Sequence, residues 1–139
     1  MRARGLHAQH RQEWDDGQYE GRRTADIRQA CLGWNLFRDG CPGGESVAVV
    51  GARADRGRAR LRAVEGDVLV FSPGHLLRVL AARWLGLPAG DARHFVLSTA
   101  ALSLLGYEHP RDEPARRLWN DDRPVGEEHS EPREKRGTL

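Results

Sequence analysis

The chain has almost no lysine, little cysteine and no long apolar run, and each shortage excludes something. Lys135 is the only lysine beside twenty-one arginines. With alanine and glycine abundant, that skew reads as GC-rich coding more than selection for guanidinium chemistry. Cys31 and Cys41 are the two cysteines, with no CxxC and no export signal. They are expected as free thiols in a reducing cytoplasm rather than as a disulfide or metal site. The histidines at 7, 10, 75, 94, 109 and 129 show no ligand spacing, so no metal and no other cofactor is expected. No stretch approaches the roughly 18 apolar residues of a transmembrane helix, and Met1 to His10 lacks the apolar core of a signal peptide. A formal net charge of +2 does not demand a nucleic-acid partner. A membrane partner is not expected either.

What remains is enough chain for one domain: 139 residues, 39% hydrophobic and 30% charged. The compact part must be concentrated. Residues 1–12 read as a disordered N-terminus, 13–120 as the domain, and 121–139 as a disordered, charged tail.

Within the domain, Glu13 to Gly21 is a loop with two aromatics and four acids. Thr24 is expected to cap a short helix over Ala25 to Cys31 that stops at Gly33. Trp34 to Gly44 reads as loop, broken by Asp39-Gly40 and Pro42-Gly43-Gly44. Ser46 caps a helix to about Val64, with an apolar stripe at Val47, Val50, Ala54, Leu61 and Val64, interrupted by Gly57. The arginines at 53, 56, 58, 60 and 62 alternate with that stripe and read as a solvated face. Asp67 to Phe71 reads as a buried strand, Ser72-Pro73-Gly74 as a tight turn, and His75 to Leu85 as an amphipathic helix. Ser72 is expected as its N-cap and Pro73 as its first residue, where proline is favoured. Gly86 to Gly90 is a loop. Ala100 to Tyr107 and Pro114 to Asn120 form an antiparallel hairpin across the polar turn Glu108 to Glu113.

Several of these segments, in this order, carry a resemblance. They are Glu13-Trp14-Asp15-Asp16-Gly17-Gln18-Tyr19-Glu20-Gly21, Gly44-Glu45-Ser46, Val68 to Arg78, Leu105-Gly106-Tyr107-Glu108, and Trp119-Asn120. Over roughly residues 13–120 the chain resembles the histidine phosphatase superfamily, the phosphoglycerate-mutase-like phosphatases. The resemblance implies an α/β fold, three-layer α/β/α, N-terminally truncated here and ending in an antiparallel hairpin. It also implies ancestral phosphomonoester hydrolysis through a phosphohistidine, without metal. In such enzymes an Arg-His-Gly histidine is the nucleophile, and a second histidine in a Ser-His-Gly turn joins arginines on the phosphoryl group. A carboxylate protonates the leaving oxygen.

The chain departs from this pattern at its cationic parts. No Arg-His-Gly occurs in it, and Pro73 stands at the second histidine's position. The family's first strand and the helix after it are not matched, which leaves the strand at Val68 to Phe71 without its neighbour. A marginally folded or aggregation-prone chain is expected on that account. Glu13 matches the proton donor, and Asp16 falls where these phosphatases often carry tyrosine. Ser72, Gly74, His75 and Glu45 are the candidate substrate-binding positions beside a phosphate-ester ligand. His75 reads as a surface or turn-lining side chain, Glu45 as a helix start, and Arg78 as solvated or salt-bridged. Three readings compete: a truncated, inactive pseudoenzyme, a phosphate-ester-binding or scaffolding module, and one part of a split or mis-started phosphatase.

Overall fold

The computed structural model describes residues 13–109 and 112–124. Among them lie α1 (Thr24–Ala30), α2 (Leu36–Asp39), α3 (Val47–Arg62), α4 (Gly74–Trp84), β1 (Leu102–Tyr107) and β2 (Pro114–Asp121). Short 3-10 turns cover Gly17–Tyr19 and Ala89–His94. The expected disordered segment 1–12 and most of the expected tail fall outside the described residues. Asp121, placed at the start of that tail, instead ends β2.

Ser46 opens α3 as its type dictates, accepting from Val49 N at 3.3 Å and so satisfying one of the helix's orphan amides. Val50 and Ala54 then turn inward, against Leu76, Val79 and Ala82 of α4 and against Leu36, Phe37, Trp14, Cys41 and Ala92. A Cβ on Gly51 would lie 2.9 Å from the Ala89 Cβ, so glycine permits this approach. Gly57 meets nothing within 4 Å, because α3 buries its N-terminal half only. The interruption in the stripe therefore costs no core contact.

Arg83 joins α4 to α3 through two bonds to Asp55, Nε to Oδ1 at 2.8 Å and an Nη to Oδ2 at 3.0 Å. The guanidinium holds the Asp55 carboxyl below the usual carboxylate range. Trp84 ties α4 to the hairpin, donating Nε1–H to Gly106 O at 2.9 Å and packing on Tyr107 with ring centroids 5.4 Å apart. β1 and β2 pair antiparallel from Leu102↔Asp121 to Tyr107↔Pro114, with irregular register on both sides of Leu104. The hairpin thus forms where it is expected.

Four local expectations are corrected. Asp67 to Phe71 joins no ladder, since among the described residues the sheet consists of β1 and β2. Leu69 is 50% and Phe71 70% exposed. A strand exists only by pairing, and the described residues offer this one no neighbour. Thr24 is the first residue of α1 rather than its cap; Arg23 caps with extended backbone and no side-chain bond. Within the expected loop after Gly33, Asn35 accepts from Phe37 N at 3.0 Å and starts α2, which Gly40 ends at φ 64°. Arg53 is not on a solvated face. It is 7% exposed and its guanidinium meets Glu45 Oε2 at 2.7 Å.

Candidate functional site

The loop that carries Glu13 is held by α3 and the segment before it. Glu45 N donates to Asp15 O at 3.0 Å, and Trp14 Nε1 donates to Glu45 O at 2.9 Å. The Glu45 carboxylate accepts from Asp15 N at 3.1 Å and from Arg53 at 2.7 Å. Glu45 is therefore an anchor for this loop, with Oε2 taken up by Asp15 and Arg53. The two chain segments also touch directly: a Cβ on Gly44 would lie 2.1 Å from Asp15 O, so only glycine fits. Trp14, 2% exposed, packs edge-on against Phe37 at 5.7 Å.

The segment before α4 leads into the helix without its expected cap. Pro73 is the N-cap (φ −58°, ψ 152°), no side chain caps the helix, and Pro73 O accepts from Leu77 N at 3.2 Å. Ser72 Oγ is buried and has no hydrogen-bond partner, so the expected Ser72 cap is corrected. Proline offers no N–H at this point, and exposed Gly74 begins the helix.

At the second residue of α4 the structure brings two candidates together. His75 Nδ1 lies 3.8 Å from Glu13 Oε2, both side chains about two-fifths exposed at 42% and 40%. The imidazole packs edge-on against Phe37 at 5.7 Å. His75 therefore stays partly exposed while it borders the cleft. Glu13 Oε1 also accepts from Trp14 N at 2.9 Å, which fixes one carboxylate oxygen and leaves the other toward the imidazole.

Beside this pair lies a cleft of about 320 Å³ between the Gly17–Tyr19 turn, α1, α2 and the start of α4. Tyr19, Trp34 and Phe37 give it aromatic walls, with Tyr19 edge-on to Trp34 at 5.5 Å. Arg78, expected as solvated or salt-bridged, lies instead over the Phe37 ring, 4.3 Å from its centroid, and donates to Ala92 O and Arg93 O, both at 3.2 Å. Sequence reasoning missed this placement. Its only hint is that Arg78 follows His75 by three residues, on the same helix face. Burial lowers the Arg78 pKa from its ordinary value.

Both thiols are free in this structure. Cys41 is buried at the cleft floor and donates toward Asp16 Oδ1 at 3.6 Å. Burial first, then the Asp16 charge, pushes its thiol up to about 12. Exposed Cys31 sits 3.6 Å from Tyr19 Oη, a hydrogen bond that raises the tyrosine's pKa. Among the described residues no three His, Cys, Asp or Glu side chains gather as a metal cage. Among the same residues no helix is long and apolar enough to cross a membrane.

With this arrangement in view, the comparisons decide the lineage. The family model of the histidine phosphatase superfamily (branch 1) matches residues 6–122. The chain belongs to that superfamily. It is 41% identical over 99 residues to an acid phosphatase of Mycobacterium tuberculosis, across 70% of this chain and 49% of that one. It is 38% identical over 92 residues to the sedoheptulose 1,7-bisphosphatase of Saccharomyces cerevisiae, across 54% of this chain and 34% of that one. The solved structure of open reading frame Rv3214 from Mycobacterium tuberculosis superposes with a TM-score of 0.77 at 36% identity, over 82% of this chain and 59% of that one. The α/β class and the histidine phosphatase fold follow. The chain spans about half the length of the acid phosphatase and about a third of the bisphosphatase.

Proposed function

We propose that the cleft beside Glu13 and His75 binds a phosphate monoester, and that the 139-residue chain on its own does not hydrolyse it. The observation that carries this reading is the turn at Ser72-Pro73-Gly74. By family resemblance its central residue stands at the second histidine's position, yet Pro73 has neither an N–H nor an imidazole to place on a phosphoryl oxygen. No Arg-His-Gly occurs in the sequence to supply the nucleophile. A single lost donor to a developing oxyanion is worth roughly a hundredfold to a thousandfold in rate, and without a nucleophile the covalent route is closed.

Binding asks less than catalysis. An ester needs cationic donors and a wall for its carbon skeleton. Arg78 supplies the first, with His75 lining the same cleft, and Phe37 with Trp34 the second. Glu13 stays in the proton donor's position by family resemblance, with its free oxygen facing His75. Phosphate-ester hydrolysis is what both curated relatives are named for, which supports the ligand class.

The test is calorimetric titration of the purified chain with fructose 6-phosphate, with inorganic phosphate release followed in the same samples. Saturable binding that weakens in Arg78→Gln, with no phosphate released, is the expected result. Absence of binding overturns the ligand reading, and sustained release overturns the catalytic one.

A further inference from the structure

Val68 to Phe71 line no part of the cleft, and their exposure follows a pattern. From Asp67 to Pro73 the backbone carries no helix, turn or bend. Val68, Val70 and Ser72 are half-buried, while Leu69 and Phe71 between them are 50% and 70% exposed. A period of two is the signature of a strand with one face on a core. Among the described residues, however, the amides and carbonyls of Asp67 to Ser72 enter neither a ladder nor a loop hydrogen bond. An open row of such groups beside two exposed apolar side chains is a template for another strand.

The two ends of the stretch differ in charge. Glu65 and Asp67, both exposed, stand at its start. At its end α4 begins, with no side-chain cap and no acid in its first turn. The first amides of a helix have no intrahelical partners and carry the positive end of its dipole. Glu13 faces the His75 imidazole, 3.8 Å away, rather than capping the helix. Between the negative start and the positive end, Val68 to Phe71 carry no charge.

An antiparallel second copy reverses the direction, so each negative end meets a positive one, twice over. With Val70 of one copy against Val70 of the other, Leu69 stands opposite Phe71 and Asp67 opposite Pro73, with Glu65 level with His75. Pro73 has no N–H, so its pair with Asp67 is one that exchanges no hydrogen bonds. Alternation makes Leu69 against Phe71 another such pair, the kind whose side chains approach most closely. A two-fold contact of this sort closes at two copies.

We propose that Asp67 to Ser72 is the docking strand for a second copy of this chain. It pairs antiparallel about Val70, with Asp67 of each copy beside the uncapped start of α4 in the other. The patch is small. Two leucines and two phenylalanines bury less than the roughly 800 Å² per partner of a stable interface, so the dimer forms at high concentration and dissociates on dilution.

Sedimentation velocity of the full chain tests this, with a monomer expected at about 5 μM and mostly dimer at about 300 μM. Leu69→Lys and Phe71→Lys, both at exposed positions, should each abolish association. Asp67→Asn should weaken it about threefold or more, since two helix termini lose an acid. Disulfide trapping in a Cys31→Ser background, which removes the exposed thiol, reads the register separately. An equal mixture of Leu69→Cys and Phe71→Cys chains should cross-link about fivefold faster than either chain alone. A monomer at both concentrations overturns the proposal and leaves the segment to a different partner. A dimer that persists in both lysine variants places the contact elsewhere and overturns it too. Growth beyond two copies, or trapping at equal rates in every mixture, contradicts the two-fold register.

Discussion

Replacing Arg53 by methionine tests how the Glu13 loop is fastened. The change keeps most of the buried aliphatic stem and removes the charge. It leaves Glu45, whose side chain is 22% exposed, without the partner 2.7 Å away. Breaking a fully buried pair costs about 3–5 kcal/mol because the surviving charge is uncompensated. Glu45 retains some access to water, so the expected cost is at the lower end, about 2–3 kcal/mol. Glu45→Gln should cost less, since an amide keeps an acceptor for Asp15 N. The double variant should be more stable than the sum of the two singles implies, by about 1–2 kcal/mol of coupling. Urea unfolding of the four proteins, with equal m-values required, supplies the cycle. An Arg53→Met protein within about 0.5 kcal/mol of wild type, with additive singles, would refute the claim that this pair fastens the loop.

Three further predictions concern the thiols and the exposed segment before α4. Burial pushes the Cys41 thiol up to about 12 in the folded chain, so its stabilising contribution is complete below the unfolded value of about 8.5 and is lost as pH rises toward the folded one. Wild type should therefore lose stability between about pH 9 and pH 11 more steeply than Cys41→Ala. Native protein should also titrate one fast thiol, Cys31, with an aromatic disulfide; two equally fast thiols would contradict the buried placement. Phe71, 70% exposed on a segment that joins no ladder among the described residues, should promote association of heated protein. Phe71→Lys should reduce that association with a stability change within about 0.5 kcal/mol, and unchanged light scattering would count against an open strand.

The legible parts of this fold were those with strong local signals. Ser46 announced α3, the apolar spacing from Leu76 to Trp84 announced α4, and two apolar runs flanking a polar turn announced the hairpin. Asp67 to Phe71 misled because its composition is that of a strand, while strand formation depends on a neighbour that a local reading cannot supply. α2 escaped because four residues are too few for periodicity, and only the Asn35 cap marked it. Arg53 sat in a run of alternating arginines whose pattern said solvent. Buried, it meets the Glu45 carboxylate, from a residue eight positions earlier and outside the run. At the site, the family resemblance marked Glu13 and Pro73. The nearness of His75 to Glu13, and the seat of Arg78 on Phe37, are tertiary facts that spacing alone does not carry.

Turnover is the most direct measurement of the central claim that this domain holds an ester without hydrolysing it. The purified 139-residue chain and its Pro73→His variant are each incubated with 4-nitrophenyl phosphate, and nitrophenolate release is followed against buffer. Both should release product at the buffer rate, because restoring the imidazole does not restore a nucleophile. Sustained release by the wild-type chain that disappears in Glu13→Ala would contradict the claim.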